Sequence, residues 1–303
     1  MCIRDRYIQD IFIHIRVLKK SKMKIAIVGY GFVGKALKNG LKDNTEVFVV
    51  DPKLKTSIQD LEIFVPEVIF ICVPTPMNKD SSQDISIVIN VINEITALSI
   101  DSCLVLKSTV VPNHIKDLEK MTKNFVYNPE FLREKHANED FINSDLIVLG
   151  GQKKSTEFLS KIYTNYTKCV NTEYVFTDIM SASLIKYSIN SFLSTKVTFF
   201  NELHGVFKAS GTNESWTNFI NFVSKDKRIG DSHMQVPGHD GRLGFGGACL
   251  PKDSNAFYIY SQSISSPLNL LNEAININNK IRSSYNSETT RELDQNIFFS
   301  EKE

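Results

Sequence analysis

Short apolar runs rich in Val and Ile alternate with amphipathic segments over the first half of the chain. Six runs are predicted to be strands, at 24–29, 46–51, 68–73, 103–108, 125–128 and 146–151. Near-continuous apolar strands are typical of a parallel sheet that is buried on both faces. Segments with a helical spacing of apolar residues lie between them, for example at 33–42, 84–99 and 112–121. This alternation predicts an α/β fold with a doubly wound, Rossmann-type parallel sheet.

The pattern changes after about residue 177. A cap at Thr177-Asp178 precedes a helical pattern that continues to about residue 210 and ends at Gly211. Because this helix is long and carries many apolar positions, we expect it to pack against another chain or the other domain. Three further helices are predicted, at 214–224, 252–263 and 267–283. The tail from about 284 is polar and is expected to be poorly ordered.

Composition narrows the class of protein. A chain of 303 residues is long enough for about two domains of ordinary size. A net charge of +1 gives no electrostatic reason to expect a nucleic acid or membrane partner, and no apolar run approaches the ~20 residues that span a bilayer. The chain has five cysteines, an odd number, and no CxxC pair, so neither a disulfide framework nor a metal site is predicted. This use of cysteine fits a reducing cytoplasm.

Three glycines follow the first predicted strand and open a helix. Gly29, Gly31 and Gly34 fit the dinucleotide fingerprint, in which they provide the tight turn, the close approach of the pyrophosphate and the packing of the helix. Asp51 ends the second strand, where a carboxylate can hold the adenosine ribose diol and favour NAD over NADP. Lys53 weakens that preference, and a purely structural glycine turn is the alternative.

A glycine-rich loop, GFGGACLPKD at 244–253, contains Cys249. A thiolate can attack an aldehyde, and the thiohemiacetal can lose a hydride to give a thioester. Lys252 and the glycine turn are expected to lower the pKa of the thiol, while a buried structural cysteine is the alternative. Lys186 and Asn190 share one face of the long helix and can stabilise an oxyanion, although such a pair is commonplace on helices.

Seven separated motifs resemble, in order, those of the UDP-glucose/GDP-mannose dehydrogenase family. They extend over about 23–283 and are VGYGFVG (28–34), VPTP (73–76), KSTVVP (107–112), YNPEFLRE (127–134), LIKYSINSFLSTKVTFFNE (184–202), DKRIG (226–230) and GFGGACLPKD (244–253). The stretch MQVPGHDGRLGFGGAC resembles the shorter, compact members closely. Full-length members carry a further C-terminal nucleotide-binding domain, so we expect a compact form that lacks it or a truncated sequence.

The resemblance implies catalytic roles for six residues. It implies that Cys249 is the nucleophile and that Lys186 and Asn190 stabilise oxyanions. Asp253 matches a carboxylate that works with that lysine and a water. The remaining matches are Glu130, for general acid/base work and thioester hydrolysis, and Thr109, for positioning water near the nicotinamide.

The resemblance also implies two sets of binding residues. The residues expected to contact NAD are Gly29, Tyr30, Gly31, Phe32, Val33, Gly34, Asp51, Val73, Pro74, Thr75 and Thr109. The residues expected to contact the nucleotide sugar are Phe131, Leu132, Arg133, Lys186, Asn190, Gly246 and Arg228. Arg228 would be supplied by the neighbouring subunit of a homodimer.

The implied reaction is the NAD-dependent, four-electron oxidation of a nucleotide-sugar C6 alcohol to the acid, with UDP-glucose as the leading substrate. Such a cytoplasmic enzyme would serve polysaccharide biosynthesis. The same chemistry on GDP-mannose or a UDP-N-acetylhexosamine is the alternative. A single-oxidation dehydrogenase of the β-hydroxyacid type would not need Cys249, and a truncated, inactive NAD-binding remnant would not need the intact catalytic set.

Four regions are therefore expected. Residues 1–22 are interpreted as an upstream extension outside the fold, or as an amphipathic interaction helix, because they lack the uninterrupted apolar core of a secretory signal. Residues 23–177 form the NAD-binding Rossmann domain, and 178–283 form an all-α central and dimerisation domain that carries the cysteine loop. Residues 284–303 are the polar tail.

Overall fold

A computed structural model describes residues 22–299, so the extension predicted at 1–22 lies almost wholly outside the described residues. Seven strands form one sheet in the order β2-β1-β3-β4-β5-β6-β7. The strand order reverses beside β1, which creates the crevice at the carboxyl ends of the strands where doubly wound folds bind ligands. The strands are β1 (Met23–Val28), β2 (Thr45–Val50), β3 (Val68–Ile71), β4 (Cys103–Leu106), β5 (Phe125–Tyr127), β6 (Ile147–Gly151) and β7 (Tyr174–Thr177).

The six predicted strands are present, and the sheet differs from the prediction at its far edge. Strand β6 runs antiparallel to β5, whereas every other neighbouring pair is parallel. Strand β7 was not predicted, because it is a short edge strand whose Val175 and Phe176 are exposed and show no clear alternation. The sheet is therefore mixed rather than fully parallel.

Alternate side chains of the parallel strands enter two separate cores. Val28, Ile69 and Leu104 belong to one face, and Ile27, Phe70 and Val105 to the other. This burial on both faces explains why the strands have continuous apolar sequences. Six helices accompany the strands, α1 (Phe32–Asn39), α2 (Leu61–Phe64), α3 (Ser86–Ala97), α4 (Pro112–Glu119), α5 (Ala137–Ile142) and α6 (Lys153–Tyr166).

A long helix, α7 (Ile179–Ala209), connects the sheet to the helical region, as the sequence predicts. Asp178 caps its first turn by accepting a hydrogen bond from Ser181 N–H. Gly150 allows α7 to approach β6, since a Cβ there would lie 2.5 Å from the Cβ of Ala182. The remaining helices are α8 (Trp216–Val223), α9 (Leu250–Ser263), α10 (Asn269–Arg282) and α11 (Thr290–Leu293). Among residues 22–299, no helix combines the length and apolarity that crossing a membrane requires.

The polar segment after residue 284 packs on the rest of the chain, contrary to the expectation of poor order. Thr289 and Glu292 form a capping box around α11, and the Glu292 side chain is fully buried. Ile297 is also buried. This packing is hard to predict from the sequence, because the segment contacts the rest of the chain mainly through charged side chains and backbone groups and has no apolar stripe.

Candidate active site

The fingerprint turn lies at the carboxyl end of β1, beside the point where the strand order reverses. Gly29 has a φ of +94°, and a Cβ there would lie 2.7 Å from the Cys72 carbonyl oxygen. A Cβ on Gly34 would lie 2.2 Å from the Gly29 oxygen, so α1 can pack on the strand only with glycine at this position. A Cβ on Gly31 would meet no atom within 4 Å. The turn therefore leaves open space at the start of α1, where a pyrophosphate would fit.

Asp51 is fixed against this turn by the backbone. One of its carboxylate oxygens accepts a hydrogen bond from Tyr30 N–H (2.7 Å), and the other accepts one from Lys53 N–H (2.9 Å). Phe32 and Val33 follow in the first turn of α1. The carboxylate, the open glycine turn and the helix N-terminus are thus adjacent, which is the arrangement that suits a dinucleotide.

The loops after β3 and β4 form the next part of the crevice. The hydroxyl of Thr75 donates to the Thr109 carbonyl oxygen (3.1 Å), and Ser108 donates to that of Val73 (2.6 Å). Pro74 is exposed between them, whereas Thr75 and Thr109 are buried. Lys252 Nζ lies 3.4 Å from the Thr75 hydroxyl, so these loops contact the helical region directly.

A buried ion pair joins α7 to the loop after β5. Lys186 Nζ donates to the carbonyl oxygen of Glu130 (2.5 Å) and lies 3.2 Å from its carboxylate. The second carboxylate oxygen accepts a hydrogen bond from Leu132 N–H, and the Phe131 ring lies 5.2 Å from the ammonium. Burial alone would lower the pKa of Lys186, but the carboxylates of Glu130 and Asp253 outweigh it and the pKa is raised. Lys186 is therefore a fixed buried cation.

A second buried pair faces the first from α9. Asn190 Nδ2 donates to one carboxylate oxygen of Asp253 (2.6 Å), and Lys252 Nζ donates to the other (2.5 Å). Asn190, Lys252 and Asp253 are all buried. Because Lys186 and Asn190 lie four residues apart on α7, the two pairs are brought to one side of that helix.

Cys249 precedes the first residue of α9 and is the N-cap position of that helix. The thiol interacts electrostatically with all four charged groups, Glu130, Asp253, Lys186 and Lys252, so it belongs to the same cluster. Burial, reinforced by the two carboxylates, raises its pKa to about 12 against the opposing effect of the two lysines. Lys252 does act to lower this pKa, as expected, but burial and the two carboxylates outweigh it. The net direction is therefore opposite to the expectation, because the sequence does not reveal how the fold covers the sulfur.

This raised pKa predicts how the free protein reacts with an alkylating agent. Only the thiolate reacts, so the rate of Cys249 alkylation by iodoacetamide should rise about tenfold per pH unit from pH ~7 to ~10, without a plateau. The rate is to be followed by peptide mapping, with exposed model thiols titrated in parallel as the control. A plateau for Cys249 near pH ~8 would contradict a partly buried thiol that is flanked by two carboxylates.

Three predicted binding residues lie outside this cluster of charges. The Arg133 guanidinium pairs with Asp140 at the surface (2.7 Å), because α5 presents that carboxylate to it. Arg228 pairs with Asp226 in the loop after α8, and its side chain is 88% exposed. Gly246 packs against the Arg282 side chain.

Two further buried polar residues shape the site and were not predicted. Lys107 Nζ donates to the side-chain oxygen of Asn128 (2.9 Å), which ties the end of β4 to the loop that carries Glu130. A lysine that ends an apolar run (CLVLK) is a recognisable signal. Gln83 donates to the Thr109 carbonyl oxygen (2.7 Å) and accepts from Val111 N–H (3.0 Å). No sequence signal distinguishes this amide from other polar loop residues.

Comparison with protein families agrees with this architecture. Residues 53–167 match the NAD-binding domain of the UDP-glucose/GDP-mannose dehydrogenase family, and residues 180–280 match the central domain of the same family. The family NAD-binding domain and the open glycine turn identify NAD as the cofactor for this crevice.

Two curated relatives and one solved structure are similar to this chain. The UDP-glucose 6-dehydrogenase of Rickettsia bellii is 38% identical over 206 residues, which are 65% of this chain and 46% of the relative. That of Haloferax volcanii is 32% identical over 257 residues, 79% of this chain and 58% of the relative. A UDP-glucose dehydrogenase structure from Pyrobaculum islandicum superposes with a TM-score of 0.72 at 26% identity, covering 86% of this chain and 69% of that one.

The chain thus spans about half the length of the curated relatives that it matches. The two matches cover β3 to β6, the long helix and most of the helical region that contains Cys249, and both name one family. The chain belongs to the UDP-glucose/GDP-mannose dehydrogenase family.

Proposed function

We propose that this protein oxidises the C6 alcohol of a nucleotide sugar to the acid, with UDP-glucose as the substrate and UDP-glucuronate as the product. The observation that carries the proposal is the position of Cys249 among Lys186, Asn190, Asp253 and Glu130, next to the crevice of an NAD-binding domain. Relatives named UDP-glucose 6-dehydrogenase support the choice of substrate. GDP-mannose and UDP-N-acetylhexosamines are the alternative substrates.

The first oxidation converts the alcohol to an aldehyde. The Glu130 carboxylate, or a water held by Asp253, takes the hydroxyl proton. The Lys186 ammonium and the Asn190 amide stabilise the negative charge that develops on the oxygen, and they do so in a buried site where such interactions are strong. NAD, when bound, accepts one hydride in each of the two oxidations.

The second oxidation uses the thiol. Cys249 Sγ bonds to the aldehyde carbon and its proton passes to a neighbouring carboxylate, which gives a thiohemiacetal. Loss of a hydride and the hydroxyl proton leaves a thioester. Water then adds, the carbon–sulfur bond breaks and the acid and the thiol are released. One alcohol and one water thus yield one acid, while two hydrides and two protons leave.

The raised pKa of Cys249 fits this sequence of steps. A thiol that stays protonated in the free site is protected from unspecific reaction, and it can transfer its proton to Glu130 or Asp253 as the carbon–sulfur bond forms. A single-oxidation dehydrogenase would have no use for a thiol at this position. The four cysteines in the described residues are unpaired, which is consistent with our proposal of a cytoplasmic enzyme in polysaccharide biosynthesis.

We also propose a homodimer that forms along α7. Phe192, Phe199 and Val206 recur every seven residues on this helix, and each is more than half exposed. This spacing produces an apolar stripe of the kind that pairs with another helix. The exposed Arg228 lies in the helical region that follows, and we propose that it reaches the substrate of the neighbouring subunit.

The substitution Phe199→Glu should convert the dimer to a monomer, because it puts a charge into the apolar stripe. Sedimentation analysis should show the change in mass. Turnover should fall about tenfold or more, and Arg228→Ala should lower turnover by a similar factor. Phe158→Glu, a partly exposed position on α6, is the matched control. A monomeric wild-type protein with full activity would contradict both the dimer and the shared site.

The substrate is tested by incubating the full chain and NAD with UDP-glucose, GDP-mannose and UDP-N-acetylhexosamines in turn. The proposal expects the highest kcat/KM for reduction of NAD with UDP-glucose. Preference for another sugar would change the substrate but not the chemistry. If NAD binds but no sugar nucleotide is turned over, the protein is an inactive NAD-binding remnant.

A further inference from the structure

The loop that carries Cys249 packs on a buried ion pair whose two residues lie outside the motif at 244–253. Arg282, at the end of α10, pairs with Glu292 in α11 (2.5 Å), and both side chains are fully buried. Arg282 also pairs with Asp240 (2.8 Å), which precedes the loop. Glu292 lies beyond both family matches, which end at residues 167 and 280. The ion pair is therefore a feature that the family comparison does not cover.

Glu292 contacts the cysteine loop directly. One of its carboxylate oxygens accepts a hydrogen bond from Gly247 N–H (3.2 Å), two residues before Cys249. The other accepts one from Thr289 N–H (2.6 Å) and so fixes the carboxylate within α11. Hydrogen bonds to an ionised acceptor are stronger than neutral ones. The position of the loop backbone is thus coupled to the charge of Glu292.

The glycine at 246 shows how closely the loop and the ion pair fit. A Cβ at this position would lie 2.2 Å from Arg282 Nη2 and 2.4 Å from Glu292 Oε1. Gly244 and Gly247 have φ values of +75° and +80°, a conformation that favours glycine. Asn278, one turn before Arg282 on α10, exchanges two hydrogen bonds with the backbone of Phe245. The loop is therefore held by side chains of α10 and α11.

The same segment also contacts the cofactor side of the crevice. Met77 N–H, two residues after Thr75, donates to the Gln295 carbonyl oxygen (3.0 Å). Arg291 forms an ion pair with Glu134, in the stretch that follows Glu130 and Leu132. Residues 289–297 thus connect the cysteine loop to two of the loops that line the proposed site.

We propose that Glu292 is a positioning residue for Cys249. Through Arg282 and Gly247 N–H it sets where α9 begins, and hence where the Cys249 thiol stands relative to Lys186 and Asp253. Its role for turnover depends on the function proposed above, whereas its effect on the thiol does not. A residue that serves stability alone would lower the melting temperature without changing the reactivity of the thiol.

The test compares Glu292→Ala and Glu292→Gln with Asp294→Asn. Asp294 is a matched control, because its carboxylate is exposed and makes only a long ion pair with Arg291 (4.0 Å). The full chain is assayed for kcat and KM of acid formation, for NAD binding and for the rate of Cys249 alkylation at fixed pH. For Glu292→Ala we expect kcat to fall about 100-fold, since a small displacement of a reacting group has that effect. NAD binding should not change, and the alkylation rate of Cys249 should change about tenfold.

Glu292→Gln should recover part of the loss, because its single amide oxygen can accept from Gly247 N–H or Thr289 N–H but not from both. If Glu292→Ala does not fold, Glu292→Gln carries the test. Parental kcat and parental alkylation in a folded variant would overturn the positioning role. If the wild-type protein turns over no substrate but the alkylation rate still changes, the positioning role stands and the proposed function fails.

Discussion

Replacing Cys249 with alanine is expected to lower acid formation by about 10⁴-fold or more, while NAD binding stays at the parental value. The thiol is the group in the cluster that can form a carbon–sulfur bond with the aldehyde, and neither Lys186 nor the carboxylates replace it. The glycine turn and Asp51 do not contact Cys249, so the cofactor site should be unaffected. Product analysis by mass spectrometry, with NAD binding measured separately, checks both expectations.

Cys169→Ala provides the control for this variant. Its thiol is partly buried and donates to the Phe141 carbonyl oxygen, and it is not among the groups that act electrostatically on the Cys249 thiol. It should leave acid formation unchanged. Acid formation by Cys249→Ala at the parental rate would remove the cysteine from the mechanism, whatever its position in the structure.

Replacing Lys186 with methionine is expected to reduce kcat about a thousandfold, the effect of removing a main stabiliser of an oxyanion. The substitution keeps most of the side-chain volume but removes the cation that lies between Glu130 and Asp253. Both carboxylates then lose a buried counter-charge, and leaving them unpaired adds to the loss of rate. The steady-state rate of NAD reduction with the sugar nucleotide measures the loss.

Lys186→Arg separates charge from geometry. The guanidinium keeps the charge but cannot occupy the position of the ammonium, which contacts both the carbonyl and the carboxylate of Glu130. It should recover little of the rate. Lys208→Met, at an exposed position in the last turn of the same helix, should be neutral. A parental rate for Lys186→Met would exclude the lysine from oxyanion stabilisation.

Much of the fold can be predicted from the sequence because burial on two faces produces continuous apolar strands. The run at 68–73 contains β3 and extends two residues past it into the crevice, and the long helical pattern from Asp178 corresponds to α7. The direction of β6 could not be predicted in this way. A short apolar strand has the same sequence pattern in either direction, and its direction depends on how α5 and α6 pack around it.

Part of the site could likewise be predicted from the sequence, and part of it could not. Residues within the glycine motifs and on one face of α7 could be located by spacing, and the structure brings Lys186, Asn190, Asp253, Glu130 and Cys249 together. Glu292 and Gln83 could not be found, because their roles arise from contacts over long sequence separations. The pKa of Cys249 was predicted in the wrong direction for a related reason. Burial depends on the whole fold, whereas neighbouring lysines are visible in the sequence.

The most direct test of the account is the stoichiometry of the reaction. The full chain is incubated with UDP-glucose and excess NAD, and the reduced cofactor is measured against the acid formed. The account predicts two reduced cofactors for each acid, with no free aldehyde at any time. One reduced cofactor for each product, with the aldehyde released, would contradict it and would leave Cys249 without a role in the chemistry.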